Sequence, residues 1–341
     1  MRKILIYASS RSFRIGEPLV HAGYSVIHMP ENERKFLKFL KFVEVTRKER
    51  PHIFLIDSIG LMCISAYCIS LVFRIPFAVR LRANIWDVYE EQKLYLRFSE
   101  RVYRCIMLNI CEIILRKAHR VFPVSTALAQ LLERKGVSKE KVRILYYPVD
   151  YTKFCPQVKR GDRIELLSVT NLSFKAKFGA LIDVLPIIDS VLAEHTNLCY
   201  TIVGDGLFSH VLEEEIKKMK NADRVSYVGY QEKIEDFFGK SDIFLHFSRL
   251  DGFPGAVVEA MACELPVVAN RYEAMMEQIE DGVTGILVDE STLKDALTLL
   301  IEHEDLRIAM GKEARQTIEK KFNRDIIAQT YKREIEAMMR E

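Results

Sequence analysis

No Asp-x-Asp triplet occurs anywhere in the chain, so paired acids at the spacing that holds a divalent cation against a diphosphate are missing. Seven cysteines are present but no Cys-x-x-Cys pair, which removes zinc ribbons and dithiol redox motifs. An odd number of thiols with no framework reads as reduced cysteine in a cytoplasmic compartment. Long apolar runs are also lacking. The longest, Ile59 to Phe73, is broken by Ser65 and Ser70 and is too short to cross a bilayer. Met1–Arg2–Lys3 and the Ile4–Tyr7 run behind it have too short an apolar core for a signal peptide and read as a first strand. Neither sign of charge dominates: 50 Lys and Arg stand against 47 Asp and Glu, net +3. That balance gives no ground for a nucleic-acid partner, and any basic function must be local. There is no low-complexity tract and no short repeat.

What remains is ordinary globular composition, 49% apolar and 28% charged, in 341 residues. That length exceeds one comfortable core, so two domains are expected. Short β-branched runs alternate with helical patterns throughout. Ile4–Tyr7, Ser25–His28, Ile53–Ile56, Phe77–Leu81, Arg120–Val124 and Val142–Leu145 read as strands of a first sheet. Ile164–Val169, Cys199–Val203, Val225–Val228, Ile243–His246, Pro266–Ala269 and Gly285–Val288 read as strands of a second. The alternation predicts an α/β protein with two doubly wound parallel sheets. The polar, proline-bearing stretch from Tyr147 to Asp162 reads as the linker, giving domains at 1–150 and 151–322. Ligands of such sheets bind at strand carboxyl ends.

One segment carries most of the chemistry. Asp251-Gly252-Phe253-Pro254-Gly255-Ala256-Val257-Val258-Glu259 sets two carboxylates eight positions apart across a Gly/Pro turn that opens an apolar helix. Pro254 suits a first helical position, and Gly252 and Gly255 let the backbone approach something bulky. The free N–H groups of the helix start form an anion site. Helical rise puts the carboxylates about 12 Å apart, the span from a sugar across a diphosphate to a ribose. The segment reads as a nucleotide-sugar clamp.

This string, continued by Ala260-Met261-Ala262-Cys263-Glu264-Leu265-Pro266-Val267-Val268 and by Ile279-Glu280-Asp281-Gly282-Val283-Thr284-Gly285-Ile286-Leu287-Val288, resembles the signature of retaining glycosyltransferases of the family-4 type. That resemblance implies a GT-B fold, two Rossmann-like domains facing a cleft, and a final helix (323–341) that crosses back to the first domain; a plain C-terminal helix of the second domain is the alternative. It also implies a nucleoside-diphosphate sugar donor, UDP- or GDP-linked, and a polysaccharide, glycan or lipid-linked acceptor. Residue by residue, Glu259 is expected on the ribose and Asp251 on the donor sugar. Lys177, with Lys175 a close second, is expected on the diphosphate, where a cation offsets charge on the departing phosphate. Gly204 belongs to a Val-Gly-x-Gly turn near the nucleotide, and Asp205 either caps the next helix or touches ligand. Tyr230 either meets the base or packs in the core. Gly16, in the loop after strand one, corresponds to glycines facing phosphates. Arg82 either binds phosphate or pairs with Asp87 or a neighbouring acid. Gly252, Phe253, Pro254 and Val258 complete the expected nucleotide-sugar contacts. The missing Asp-x-Asp fits a site without metal or other cofactor, in which cations and the helix dipole do that work.

The chain departs from the pattern at four places. Asp251 replaces a Glu, Glu264 a Gly, Asn171 an Arg, and Glu273-Ala274 a Gly pair beside the donor sugar. Glu273 either bonds a sugar hydroxyl or starts a helix. These changes keep two alternatives in view, a degenerate partner subunit and a nucleotide-sugar epimerase or hydrolase. The leading expectation is a hexosyl-type transferase of cell-envelope glycan synthesis, metal-independent and retaining. Separately, Lys35-Phe36-Leu37-Lys38-Phe39-Leu40-Lys41-Phe42-Val43 reads as a basic amphipathic helix with Phe36, Phe39, Leu40 and Val43 on one side. Either it lies on anionic lipid at the inner face of the cell membrane, or it buries that apolar face as an ordinary Rossmann helix.

Overall fold

The structure is a computed structural model that describes residues 2–8, 13–29, 35–57, 59–157 and 163–340. The chain forms two compact units, Met1–Pro148 with Arg324–Glu341, and Val149–Asn323. No helix among the described residues is long and apolar enough to cross a membrane.

The first unit is built on five parallel strands: β1 (Lys3–Ala8), β2 (Ser25–His28), β3 (Ile53–Asp57), β4 (Phe77–Leu81) and β5 (Arg120–Pro123). Their order is β2-β1-β3-β4-β5. β3 and β4 are buried at every position, as central parallel strands covered on both faces must be. One face packs Ile4, Ile6, Ile53 and Leu55 against Ile327, Tyr331, Ile335 and Met338 of the last helix, Arg324–Met338. Three expectations change here. The run Val142–Leu145 is not a sixth strand: only Val142 pairs, with Val121, although Arg143 and Leu145 donate to the carbonyls of Val121 and Pro123. Gly16 lies inside the helix Phe13–His21, not in the loop before it, where an added Cβ would meet the His28 ring at 2.7 Å. The loop residues Ser9–Arg11 lie outside the described residues.

The third concerns the basic helix Lys35–Glu49. It buries Phe42, edge-on to Phe54 at 5.0 Å, and Thr46, whose hydroxyl donates to the Phe42 carbonyl. Phe39 and Leu40 stay 36% and 49% exposed. The core arc is thus turned about a quarter-turn from the expected one, because Phe42 at i and Thr46 at i+4 face the sheet while the Phe39 side does not. The side chains of Lys35, Phe36 and Leu37 lie outside the described residues.

The second unit holds six parallel strands: β6 (Ile164–Val169), β7 (Leu198–Val203), β8 (Val225–Tyr227), β9 (Ile243–His246), β10 (Val267–Asn270) and β11 (Gly285–Val288). Their order is β11-β10-β9-β6-β7-β8. The winding reverses between β6 and β9, and the carboxyl ends of those two strands therefore open the crevice where open α/β sheets take ligands. The expected linker is only partly loose chain. Val149 bridges to Asn323, Phe154 packs edge-on to Phe238 at 5.8 Å, and the Gln157 N–H donates to Gly239. Residues 158–162 lie outside the described residues.

Candidate active site

The loop leaving β6 turns through Asn171, whose Oδ1 accepts from the Ser173 N–H at 2.9 Å, and runs into the helix Lys175–Glu194. Asn171 is thus occupied in shaping the turn. Lys175 is the exposed first residue of that helix, and Lys177 stands two positions on, partly buried. The loop leaving β9 is fixed by a reciprocal clamp: Ser248 N–H donates to Asn270 Oδ1 at 3.0 Å, and Asn270 Nδ2 returns a bond to the Ser248 carbonyl at 2.9 Å. Gln278 Nε2 holds the Pro254 carbonyl at 3.0 Å. So anchored, the loop sets Asp251 against both strands' ends.

Asp251 and Lys177, 74 positions apart, form an ion pair through Oδ1, while Oδ2 meets His246 Nε2 at 3.1 Å. The Asp251 and Lys177 side chains are only 9% and 17% exposed. Burial alone would push the Asp251 carboxyl up. The Lys177 ammonium and the His246 bond outweigh it and hold the group well below the usual carboxylate range. Asp251 is therefore an anion at every working pH, an acceptor and not a proton donor. Lys177 has three donors and Asp251 takes one, which leaves capacity for an anionic ligand.

The helix Gly255–Ala262 follows, with Pro254 at the N-cap rather than at the first helical position. Glu259 is buried on it at 6% exposure. Phe253 packs on Phe322 at 5.5 Å and Val258 is buried in the interior, so both side chains are taken up in packing. The helix ends in a Schellman turn: Leu265 N–H donates to Ala260 and Glu264 N–H to Met261, with Glu264 left-handed at φ 59°. That conformation explains why glycine suits the position. Here Arg315 faces the Glu264 carboxylate at 3.9 Å.

Gly204, at φ 139°, closes β7 so tightly that an added Cβ would lie 1.8 Å from the Thr170 carbonyl. Its backbone freedom serves the meeting of two site loops. Asp205 accepts from Gly206 N–H and Ser209 Oγ, and so shapes the turn into the helix Ser209–Lys217. Tyr230, beyond β8, is 72% exposed, which sets aside core packing. Glu273 is the exposed first residue of the helix Glu273–Gln278.

Arg82 and Gly16 belong to the first unit. Arg82 pairs with Asp57 at the end of β3, Nε to Oδ2 3.1 Å, whereas Asp87 accepts from Asn84. The Asp57 carboxyl is pushed up to about 6 by burial, which outweighs the Arg80 and Arg82 charges. Lys177, Asp251 and Glu259 are thus set around one switch point, with Lys175 on the same helix as Lys177. Sequence reasoning misses His246 as part of it. The available signal is a polar residue closing an apolar strand at its carboxyl end.

Residues 152–317 match the family model described as Glycosyl transferases group 1. Among curated proteins, a putative glycosyltransferase encoded by a virus is 23% identical over 281 residues, covering 82% of this chain and 83% of its relative. A Campylobacter jejuni N,N'-diacetylbacillosaminyl-diphospho-undecaprenol alpha-1,3-N-acetylgalactosaminyltransferase is 24% identical, covering 76% and 70%. For other relatives the chain spans between 35% and 55% of their own length. Anabaena HepE, crystallised with UDP and glucose, superposes with a TM-score of 0.75 at 16% identity, over 99% of this chain and 100% of that one. At that identity the likeness shows the fold, which is GT-B.

Proposed function

The second domain of this chain belongs to the glycosyl transferases group 1 family, and from that premise we propose that the protein transfers a sugar from a nucleoside-diphosphate donor to a glycan or lipid-linked acceptor, with retention of configuration and without a metal. The observation that carries this reading is the Lys177–Asp251–His246 contact at the β6/β9 switch point, beside the helix that bears Glu259. Lys177 and the N–H groups at the start of that helix take the diphosphate and offset the charge that builds on it as the bond to the sugar breaks. Glu259 accepts from the ribose hydroxyls. Asp251, an anion fixed by two partners, accepts from a donor-sugar hydroxyl. One methylene shorter than Glu, it reaches less far and selects a shifted sugar. Tyr230 offers its exposed ring to the base. The departing phosphate itself takes the acceptor proton, so no side-chain base is assigned. UDP is the favoured nucleotide, in line with the UDP bound by HepE, and a lipid-linked acceptor at the inner face of the cell membrane is in line with the Campylobacter enzyme's name.

The test is a thermal-shift screen of UDP-, GDP- and ADP-sugars, with and without EDTA, on wild type and Glu259→Ala. Donor at about 100 times its Kd stabilises by about 2.7 kcal/mol, worth about 5–10 °C in a domain of this size. A shift with one nucleotide class that survives EDTA and vanishes in the variant supports the reading, and NMR of the product's anomeric proton then reports retention. No shift with any donor overturns it.

A further inference from the structure

No Cys-x-x-Cys pair exists in the chain, yet folding makes a dithiol from cysteines 48 positions apart. Cys63 is the third residue of the helix Leu61–Phe73, which starts just past the carboxyl end of β3. Cys111 lies on the helix Phe98–Lys117, which packs beside it. Both cysteines are fully buried, and their thiols hydrogen-bond to each other. The Cys111 sulfur has a second partner. Gly60, the N-cap of the Cys63 helix, donates its N–H to that sulfur at 3.3 Å, and the Gly60 carbonyl stands 3.8 Å from it. Gly60 turns through φ 126°, a conformation that L side chains rarely adopt, so the contact is built on a glycine. A backbone N–H at a helix start and a neighbouring S–H both favour charge on the sulfur they point at.

The two thiols are therefore unlike. Cys63 is pushed well above the ordinary thiol range by its bond to Cys111 and by burial. Cys111 is drawn below that range, chiefly by the bond from Cys63 and also by Gly60, against the effect of burial. By contrast, burial pushes Cys263 up to about 12. A sulfur that favours its thiolate beside one that keeps its proton is the arrangement of an attacking and a resolving cysteine. Because neither is exposed, the oxidant must be small and neutral, which fits peroxide and not a bulky disulfide. We propose that Cys63 and Cys111 form a peroxide-responsive couple, Cys111 attacking and Cys63 resolving, whose disulfide pins the start of the helix Leu61–Phe73 to the helix Phe98–Lys117. The Cys111 thiolate attacks one peroxide oxygen, the O–O bond breaks, and the departing hydroxide takes up the Cys111 proton as water. Cys63 then gives up its proton and attacks the Cys111 sulfenic acid. The S–S bond forms, the S–O bond breaks, and a second water leaves, so that two thiols are oxidised and one peroxide is reduced. The sulfurs already meet, so closure asks for side-chain rotation rather than refolding. None of this depends on the transferase reading.

The test treats the full chain carrying Cys68→Ser and Cys105→Ser, which removes the exposed thiols, with hydrogen peroxide and maps its peptides by mass spectrometry. A peptide pair joined through Cys63 and Cys111 is expected, undone by dithiothreitol. The bridged protein is expected to melt about 4–16 °C higher, from the chain entropy that a cross-link of this span removes. In the same background Cys63→Ser should accumulate a sulfenic acid at Cys111, trapped by dimedone, whereas Cys111→Ser should give at least about tenfold less trapping at Cys63. Oxidised glutathione over the same time should give at least about tenfold less bridge than peroxide. Circular dichroism checks the fold of each variant, and mapping and melting of the intact pair decide the matter if either single variant fails to fold. Free thiols at both positions after peroxide, a bridge that forms only in urea, or a bridge that leaves the melting transition unmoved would overturn the proposal. So would equal trapping at the two sulfurs, or faster closure with oxidised glutathione than with peroxide.

Discussion

Replacing Lys177 by methionine keeps the stem and removes the ammonium, leaving the Asp251 carboxylate, at 9% exposure, with His246 alone. Breaking a buried pair from one side costs about 3–5 kcal/mol, which in a domain of this size lowers its melting transition by about 6–20 °C. The loss has a pH signature. In wild type the folded carboxyl is held below its unfolded value, so its contribution is complete above the ordinary carboxylate pKa near 4 and is lost only as pH falls beneath that. In the variant the largest lowering influence is gone and burial raises the group. Its folded pKa then exceeds the unfolded one, and stability is lost as pH rises. The melting gap between the two proteins should widen from pH 4.5 to pH 7.5. Adding Asp251→Asn removes the stranded charge and should recover most of the melting loss. Turnover should behave differently: kcat falls about 100- to 1000-fold in Lys177→Met and does not return in the double variant, while nucleoside-diphosphate affinity changes by less than about tenfold. Calorimetry across pH, urea melts and steady-state kinetics read the three quantities. A pH-independent gap, or a double variant as unstable as the single, would refute the electrostatic account. Equal losses in kcat and affinity would refute the leaving-group role.

Glu264→Gly should raise stability by about 0.5–1 kcal/mol in urea titration, since relief of the left-handed backbone outweighs a long contact to Arg315; a destabilised variant would show that the ion pair dominates. Asp57, pushed up to about 6, is favourable only while protonated, so stability should fall by about 2 kcal/mol between pH 4 and pH 6, and Asp57→Asn should flatten that slope in a pH series of urea midpoints. Cys68 and Cys105 are exposed and should react promptly with a thiol reagent in the native protein. Cys263, buried and pushed up to about 12, should react only after unfolding, and rapid native labelling there would contradict its burial.

The central strands are legible because parallel strands buried on both faces read as short apolar runs with polar ends, as Ile53–Asp57 and Ile243–His246 do, while β2 and β8, only half-buried, show through their β-branched residues alone. Val142–Leu145 has the same composition but pairs at a single residue, and composition carries no information about pairing. The face of Lys35–Glu49 escapes the sequence because a helical wheel groups side chains without saying which arc meets the sheet, and Phe42 sits among lysines. The site residues on the Asp251–Glu259 string announce themselves by order. The meeting of Lys177 with Asp251 does not, since a contact across 74 positions follows only from strands β6 and β9 being neighbours. Glu264 in place of a glycine reads as damage in the sequence alone. Its left-handed turn shows that the requirement is conformational and is met here at a modest cost.

The last helix has a consequence for how the chain acquires its structure. Ile327, Tyr331, Ile335 and Met338 are core residues of the first unit, yet they are synthesised after all of Val149–Asn323. On the ribosome the part of that face not already covered by Ile15 and Leu19 of the first helix must wait for its cover while the whole of the second domain is made. The usual order of domain maturation is thereby reversed: the domain translated first is the last to be finished.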